Sequence, residues 1–118
     1  MIERYTLPEM ARIWSEQRKL EVWKEVETLA LEAWQTLGKV PHGVAEATEA
    51  AICPTPEQVA EREMVTNHDL AAFVDLLGEA AGPDAAGWVH YGLTSSDVLD
   101  TAGGVILSES ADLLLNAL

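Results

Sequence analysis

Trp88-Val89-His90-Tyr91-Gly92-Leu93-Thr94-Ser95-Ser96-Asp97-Val98-Leu99-Asp100-Thr101-Ala102 sets two hydrogen-bonding rings, a glycine, three consecutive hydroxyls and an acid directly ahead of an apolar run. Hydroxyls before an apolar run mark a helix N-terminus, where unpaired backbone N–H groups point outward and favour anions. Thr94 and Asp97 have the spacing of a capping box, with Asp in the place of the usual Glu. The stretch therefore reads as an anion-facing helix entrance beside a histidine. Downstream, Val105, Ile106, Leu107, Leu113, Leu114, Leu115 and Leu118 continue a helical apolar pattern to the last residue, with no glycine, proline or polar tail to close it. A helix normally ends on a stop signal. The expectation is a chain cut inside a long helix whose apolar stripe needs partner helices.

Upstream the pattern is helical nearly throughout. Thr6-Leu7-Pro8-Glu9 has capping-box spacing with proline in the first turn, which predicts a short helix to about Trp14. Ser15 is the next cap. From there to Leu37 the apolar positions Leu20, Val22, Trp23, Val26, Leu29, Ala30, Ala33, Trp34 and Leu37 recur at three- and four-residue steps. Trp23 and Trp34 are about three turns apart and share a face. Gly38 and Pro41 end that helix. Val44, Ala47, Ala51 and Ile52 give a weaker helix within residues 41–53. Thr55, Pro56 and Gln58 combine cap, N1 proline and N3 glutamine, and predict a helix to about Val65. Thr66 and Asp69 repeat the spacing ahead of Leu70, Phe73, Val74 and Leu77, and Gly82-Pro83-Asp84 ends that stripe. No strand-like alternation of useful length occurs, so the fold class is all-α.

Composition narrows the chemistry. The chain has 118 residues, enough for one modest core. Its 48 % hydrophobic content excludes a disordered chain. Twenty acids against seven bases give a net charge of −13, which argues against nucleic acid as a partner, since phosphate must be neutralised by Lys and Arg. The apolar runs fall short of the ~20 residues of a membrane span. Met-Ile-Glu-Arg is not a signal-peptide opening, and one cysteine, Cys53, allows no internal disulfide. A cytoplasmic location is the default expectation. No His or Cys pair has metal-ligand spacing, no glycine-rich phosphate loop occurs, and Cys53 precedes Pro54 with no basic neighbour to activate it.

Three clusters remain that could carry chemistry: Arg4-Tyr5, Thr66-Asn67-His68-Asp69, and the opening stretch. Taken singly, each also reads as ordinary surface, cap or core. Two of the three histidines, His68 and His90, stand beside helix entrances rich in donors, and a neutral His68 could donate one hydrogen bond to an anionic ligand.

In this order and spacing, Met1 to Met10, the Trp23 to Trp34 helix, Thr66 to Asp69 and Trp88 to Ala102 resemble the adenylosuccinate lyase family of the fumarase/aspartase superfamily. The resemblance covers essentially the whole chain. Thr94-Ser95 followed by Asp97 marks the superfamily, and Arg4-Tyr5 with Pro8-Glu9-Met10 narrows it, since argininosuccinate lyase and fumarase do not begin this way. The resemblance implies β-elimination of fumarate from succinyl-AMP and from the succinylated aminoimidazole carboxamide ribotide of purine biosynthesis. It implies no cofactor and no metal, and a homotetramer whose active sites combine three subunits. By position, Arg4 and Tyr5 would contact the nucleotide. Asn67, His68 and Asp69 would line the same pocket, with His68 assisting near the leaving group or phosphate; some members carry arginine at the position of Asn67. His90 would help to hold the phosphate, and Thr94 and Ser95 would bind a succinyl carboxylate. Family members are several times longer. Their general-acid histidine and general-base serine lie in a central helical domain, so the expectation is a helical N-terminal domain over 1–100, the start of the central bundle over 101–118, and no turnover by the isolated chain. Two alternatives are another superfamily lyase or cycloisomerase acting on a dicarboxylic substrate, and a stand-alone helical interaction module using the C-terminal leucines.

Overall fold

The computed structural model describes residues 2–118. A 3-10 turn at Glu3–Tyr5 is followed by α1 (Pro8–Ile13), α2 (Glu16–Thr36), α3 (Val44–Ala50), α4 (Pro56–Thr66), α5 (Asp69–Ala81), α6 (Pro83–Ala86) and α7 (Ser95–Ala117). No strand occurs among the described residues. The all-α expectation holds. The short α6 is an addition: Pro83 sits at its first turn, so the residues that stop α5 also start a new helix.

Two long helices carry the architecture. The Ser15 hydroxyl caps α2 by accepting from the Arg18 N–H at 3.1 Å. The inward face of α2 gives Leu20, Val22 and Trp23 to a core shared with Leu70, Ala72, Phe73 and Leu77 of α5 and with Val98, Ala102 and Ile106 of α7. Trp23 meets Phe73 edge to face at 5.5 Å, an arrangement favoured by the ring quadrupoles. Farther along α2, Leu31 packs with Val40, Val44, Ala45 and Ala85, and Trp34 and Trp88 lean on that second cluster. Trp23 and Trp34 thus face inward together but serve different ends of the core. Arg18 ties α2 to α7 through a two-pronged ion pair with Glu109.

Two predicted caps fall elsewhere. Leu7, not Thr6, is the residue before α1, because Pro8 takes the first helical position. The Thr6 hydroxyl instead donates to the Ile2 carbonyl at 2.8 Å. Thr66 is still helical, as the last residue of α4, and His68 caps α5 in its place.

The α7 helix runs unbroken through the expected domain boundary at 100/101. In its first half Val98, Ala102 and Ile106 are buried in the core. Leu107, Leu114, Leu115 and Leu118 are exposed. No helix of the described residues is long and apolar enough to cross a membrane.

Candidate functional site

The centre of the site is the corner between α4 and α5. Asn67 closes α4 in the left-handed region at φ 54°, which asparagine tolerates better than most residues. That turn leaves His68 extended, at φ −153°. The Thr66 hydroxyl clamps the corner, donating to the His68 carbonyl at 2.9 Å and accepting from its N–H at 3.4 Å. His68 then caps α5 with its ring, as Nδ1 accepts from the Ala71 N–H at 3.2 Å. An Nδ1 that accepts carries no proton, so the proton of the neutral ring is on Nε2. Nε2 stands 3.3 Å from Ser95 Oγ. It donates there, and the serine hydroxyl hydrogen stays free for another acceptor.

Ser95 is the first residue of α7, and Thr94 is its cap. The Asp97 carboxylate accepts from the Thr94 N–H at 2.7 Å and from its hydroxyl at 3.1 Å. Those bonds, the backbone one first, hold the Asp97 carboxyl below its ordinary range. The positive ends of α5 and α7 therefore meet at the His68–Ser95 bond, which favours an anion there. A carboxylate ligand would find Ser95 available but would share Thr94 with Asp97. Asp69 is occupied locally, with Oδ1 accepting from the Leu70 N–H at 2.8 Å.

His90 faces inward. It sits in the left-handed region at φ 70°, a conformation that costs a residue with a Cβ about 1–3 kcal/mol and persists where the surroundings impose it. The indole N–H of Trp34 donates to the Tyr91 carbonyl at 3.1 Å, and Tyr91 packs edge to face between Trp34 and Trp88. Gly92 has φ +74°, and a Cβ there would lie 2.8 Å from Trp34 Cζ2. Held in this way, His90 puts Nδ1 2.6 Å from Oε1 of Glu27, a carboxyl with no solvent exposure. Glu27 Oε2 has no partner and is buried. Burial pushes the Glu27 carboxyl up, and the hydrogen bond to His90 opposes the shift in part.

The structure thus brings Ser95 to His68 across 27 positions of sequence, with Thr94, Asn67 and Asp69 beside them in the chain. Arg4 and Tyr5 are exposed and stack on each other, the guanidinium carbon 4.8 Å from the ring centre. No hydrogen bond, ion pair or ring contact of the described residues joins them to the His68–Ser95 pair. No group of three or more His, Cys, Asp or Glu able to hold a metal ion occurs among the described residues. Glu27 is the residue sequence reasoning missed. Its signal was available: it lies four residues after Trp23 and four before Leu31, an acid in the middle of an apolar stripe.

Comparison with known proteins sets the site in context. No family model matches the chain. The chain is 42 % identical over its whole length to adenylosuccinate lyase of Bacillus subtilis (strain 168) and 45 % identical to adenylosuccinate lyase of Synechocystis, covering 27 % of each. It is 46 % identical over 111 residues to adenylosuccinate lyase of Streptococcus mutans, covering 25 % of that protein. The chain therefore spans about a quarter of the length of the curated relatives it matches. Its fold superposes on a fumarate lyase from Mesorhizobium sp. BNC1 with a TM-score of 0.80 at 25 % identity, covering 89 % of this chain and 25 % of that one. The fold is that of a fumarate lyase segment, and the sequence is similar throughout to adenylosuccinate lyases.

Proposed function

We propose that this chain is the part of an adenylosuccinate lyase that forms one wall of its active site. The observation that carries this reading is the bond between Ser95 Oγ and His68 Nε2. It joins the two motifs that matter for an anionic substrate, at a point where two helix N-termini converge. Ser95 and Thr94 bind a carboxylate of the succinyl group. His68 carries its proton on Nε2 and shares it between Ser95 Oγ and the leaving-group nitrogen or the phosphate, as an assisting group. Asn67 and Asp69 shape the same pocket, and Arg4, Tyr5 and His90 take the nucleotide end.

Elimination of fumarate needs a base to take a proton next to the carboxylate, an acid to protonate the departing nitrogen, and donors for the intermediate's charge. This chain supplies the donors. In this reading the acid and base come from the remaining three quarters of a protein of the relatives' length, as does the homotetramer that completes each site and brings cations to an acidic wall. No metal or organic cofactor takes part. The reaction belongs to purine biosynthesis, in the cytoplasm. The whole-length similarity to proteins named adenylosuccinate lyase supports this choice over another dicarboxylate lyase of the same fold.

The test is a graft. The segment replaces its counterpart in the Bacillus subtilis relative, and fumarate release is measured with succinyl-AMP and with other succinylated or dicarboxylic substrates. Turnover of succinyl-AMP is expected, and the isolated chain is expected to show none. A graft that turns over only a different substrate contradicts the reading.

A further inference from the structure

The Glu27–His90 pair is unexplained by the fold alone. Glu27 lies in the apolar stripe of α2, has no solvent exposure, and keeps one carboxyl oxygen buried without a partner. Burying a charge that is only half satisfied costs several kcal/mol, and an apolar residue of similar volume would pack there without that penalty. The pair is also built with care. His90 is held in a left-handed backbone conformation, between the Trp34-to-Tyr91 bond and Gly92, in the position that meets Glu27.

We propose that Glu27 is a positioning residue for His90: it engages Nδ1 from inside and leaves Nε2–H as a fixed outward donor for an anionic group. The clause about the anion rests on the nucleotide reading given above; the pairing itself does not. His90 Nε2 has no hydrogen-bond partner and is not among the buried unpaired atoms, so it is the open edge of a ring that is 24 % exposed. Proton count decides its character. With one proton between them, the pair carries a net negative charge in a site without water contact at Glu27. With two, one in the Glu27–Nδ1 bridge and one on Nε2, it is neutral overall, and the buried environment favours that state. The rise of the Glu27 carboxyl agrees. The other charged group facing His90 is Asp97 of α7, whose carboxyl feels the His90 charge. The same chain of bonds ties ligand binding to the core, because the residue that orients His90 lies between Trp23 and Leu31.

Imidazole nitrogen spectroscopy on the 118-residue chain tests the proposal, with His90→Ala used to assign the signals. Near neutral pH, His90 Nε2 is expected to carry a proton, and a bridging proton far downfield is expected on the Nδ1 side. In Glu27→Gln the downfield proton disappears, and inorganic phosphate shifts the Nε2 signal only at concentrations at least about fivefold higher than in the wild type, as for a weakened charge-assisted bond. A bare Nε2 near neutral pH, or a phosphate-induced shift of Nε2 that follows the same concentration dependence in the two proteins, overturns the proposal. Where Glu27→Gln does not fold, Glu27→Asp serves: it keeps the charge on a shorter arm and is expected to weaken the bridge, and an unchanged bridging signal overturns the proposal. A protonated Nε2 with its bridge in place that phosphate does not shift supports the pairing and counts against the nucleotide reading alone.

Discussion

At the scale of single residues, two positions are tightly constrained by their surroundings. Glu27 is an acid with no exposure. Folding raises its carboxyl above the ordinary 4.5, so across that window the folded chain holds a proton that the unfolded chain releases. The stability due to that proton is complete below the ordinary value and is lost as pH rises through the raised folded one. Glu27→Gln has no such proton. The wild-type unfolding free energy minus that of Glu27→Gln should therefore fall with rising pH, by about 1.4 kcal/mol for each unit by which folding raises the group. Urea titrations at a series of pH values measure it, and a constant difference would refute it. Gly92 is the second case. Alanine there meets both a positive φ and the Trp34 ring at 2.8 Å, a ring fixed by its own hydrogen bond. Gly92→Ala should cost more than about 1 kcal/mol in the same titrations and should disturb the Trp34–Tyr91 contact seen in aromatic spectra. Sequence showed the glycine and the histidine but not their backbone angles, which depend on Trp34 arriving from a distant helix.

At the scale of elements, capping was legible where one signal stood alone and illegible where two competed. Thr55–Gln58 closes both bonds of its box, at 2.9 and 3.2 Å. Thr55→Ala should destabilise the fold by about 1 kcal/mol, the usual worth of such a cap, as read by thermal melting. At Thr6 the preference of Pro8 for the first helical position wins, and the cap moves to Leu7. At Thr66 the preceding helix runs one residue farther than the pattern suggested, and only His68 is left extended to cap α5. That shift also gives His68 its proton arrangement, so the site's chemistry follows from where a helix ends. At α7, the Asp97 carboxyl is held below its ordinary range by Thr94. Its contribution to the helix start is present above the ordinary aspartate range and is lost as pH falls through the lowered folded value. Asp97→Asn should remove that part of the acid limb of the unfolding curve, and an unchanged acid limb would count against the box.

At the scale of the molecule, the fold class was legible because the 3.6-residue period recurs from Pro8 to Leu118. The pairing of helices was not: nothing in the local pattern says that Arg18 reaches Glu109 or that α7 lies on α2. Nor did sequence bring Ser95 to His68, although it named both; the two helix starts converge only after α5 and α7 join the core around Trp23 of α2. A net charge of −13 on a chain of this size repels itself. The Tm should therefore rise as ionic strength increases from low to physiological values, and a Tm independent of salt would contradict a destabilising self-repulsion. In the proposed function this chain lends Ser95 and His68 to the elimination of fumarate from a succinylated nucleotide. The most direct test is fumarate release from succinyl-AMP by the Bacillus subtilis relative carrying this segment, compared with the same graft bearing Ser95→Ala or His68→Ala. Either substitution is expected to lower kcat/KM by about a hundredfold or more, the scale of a lost oriented donor, with the fold retained. Near-normal turnover in both variants would contradict it.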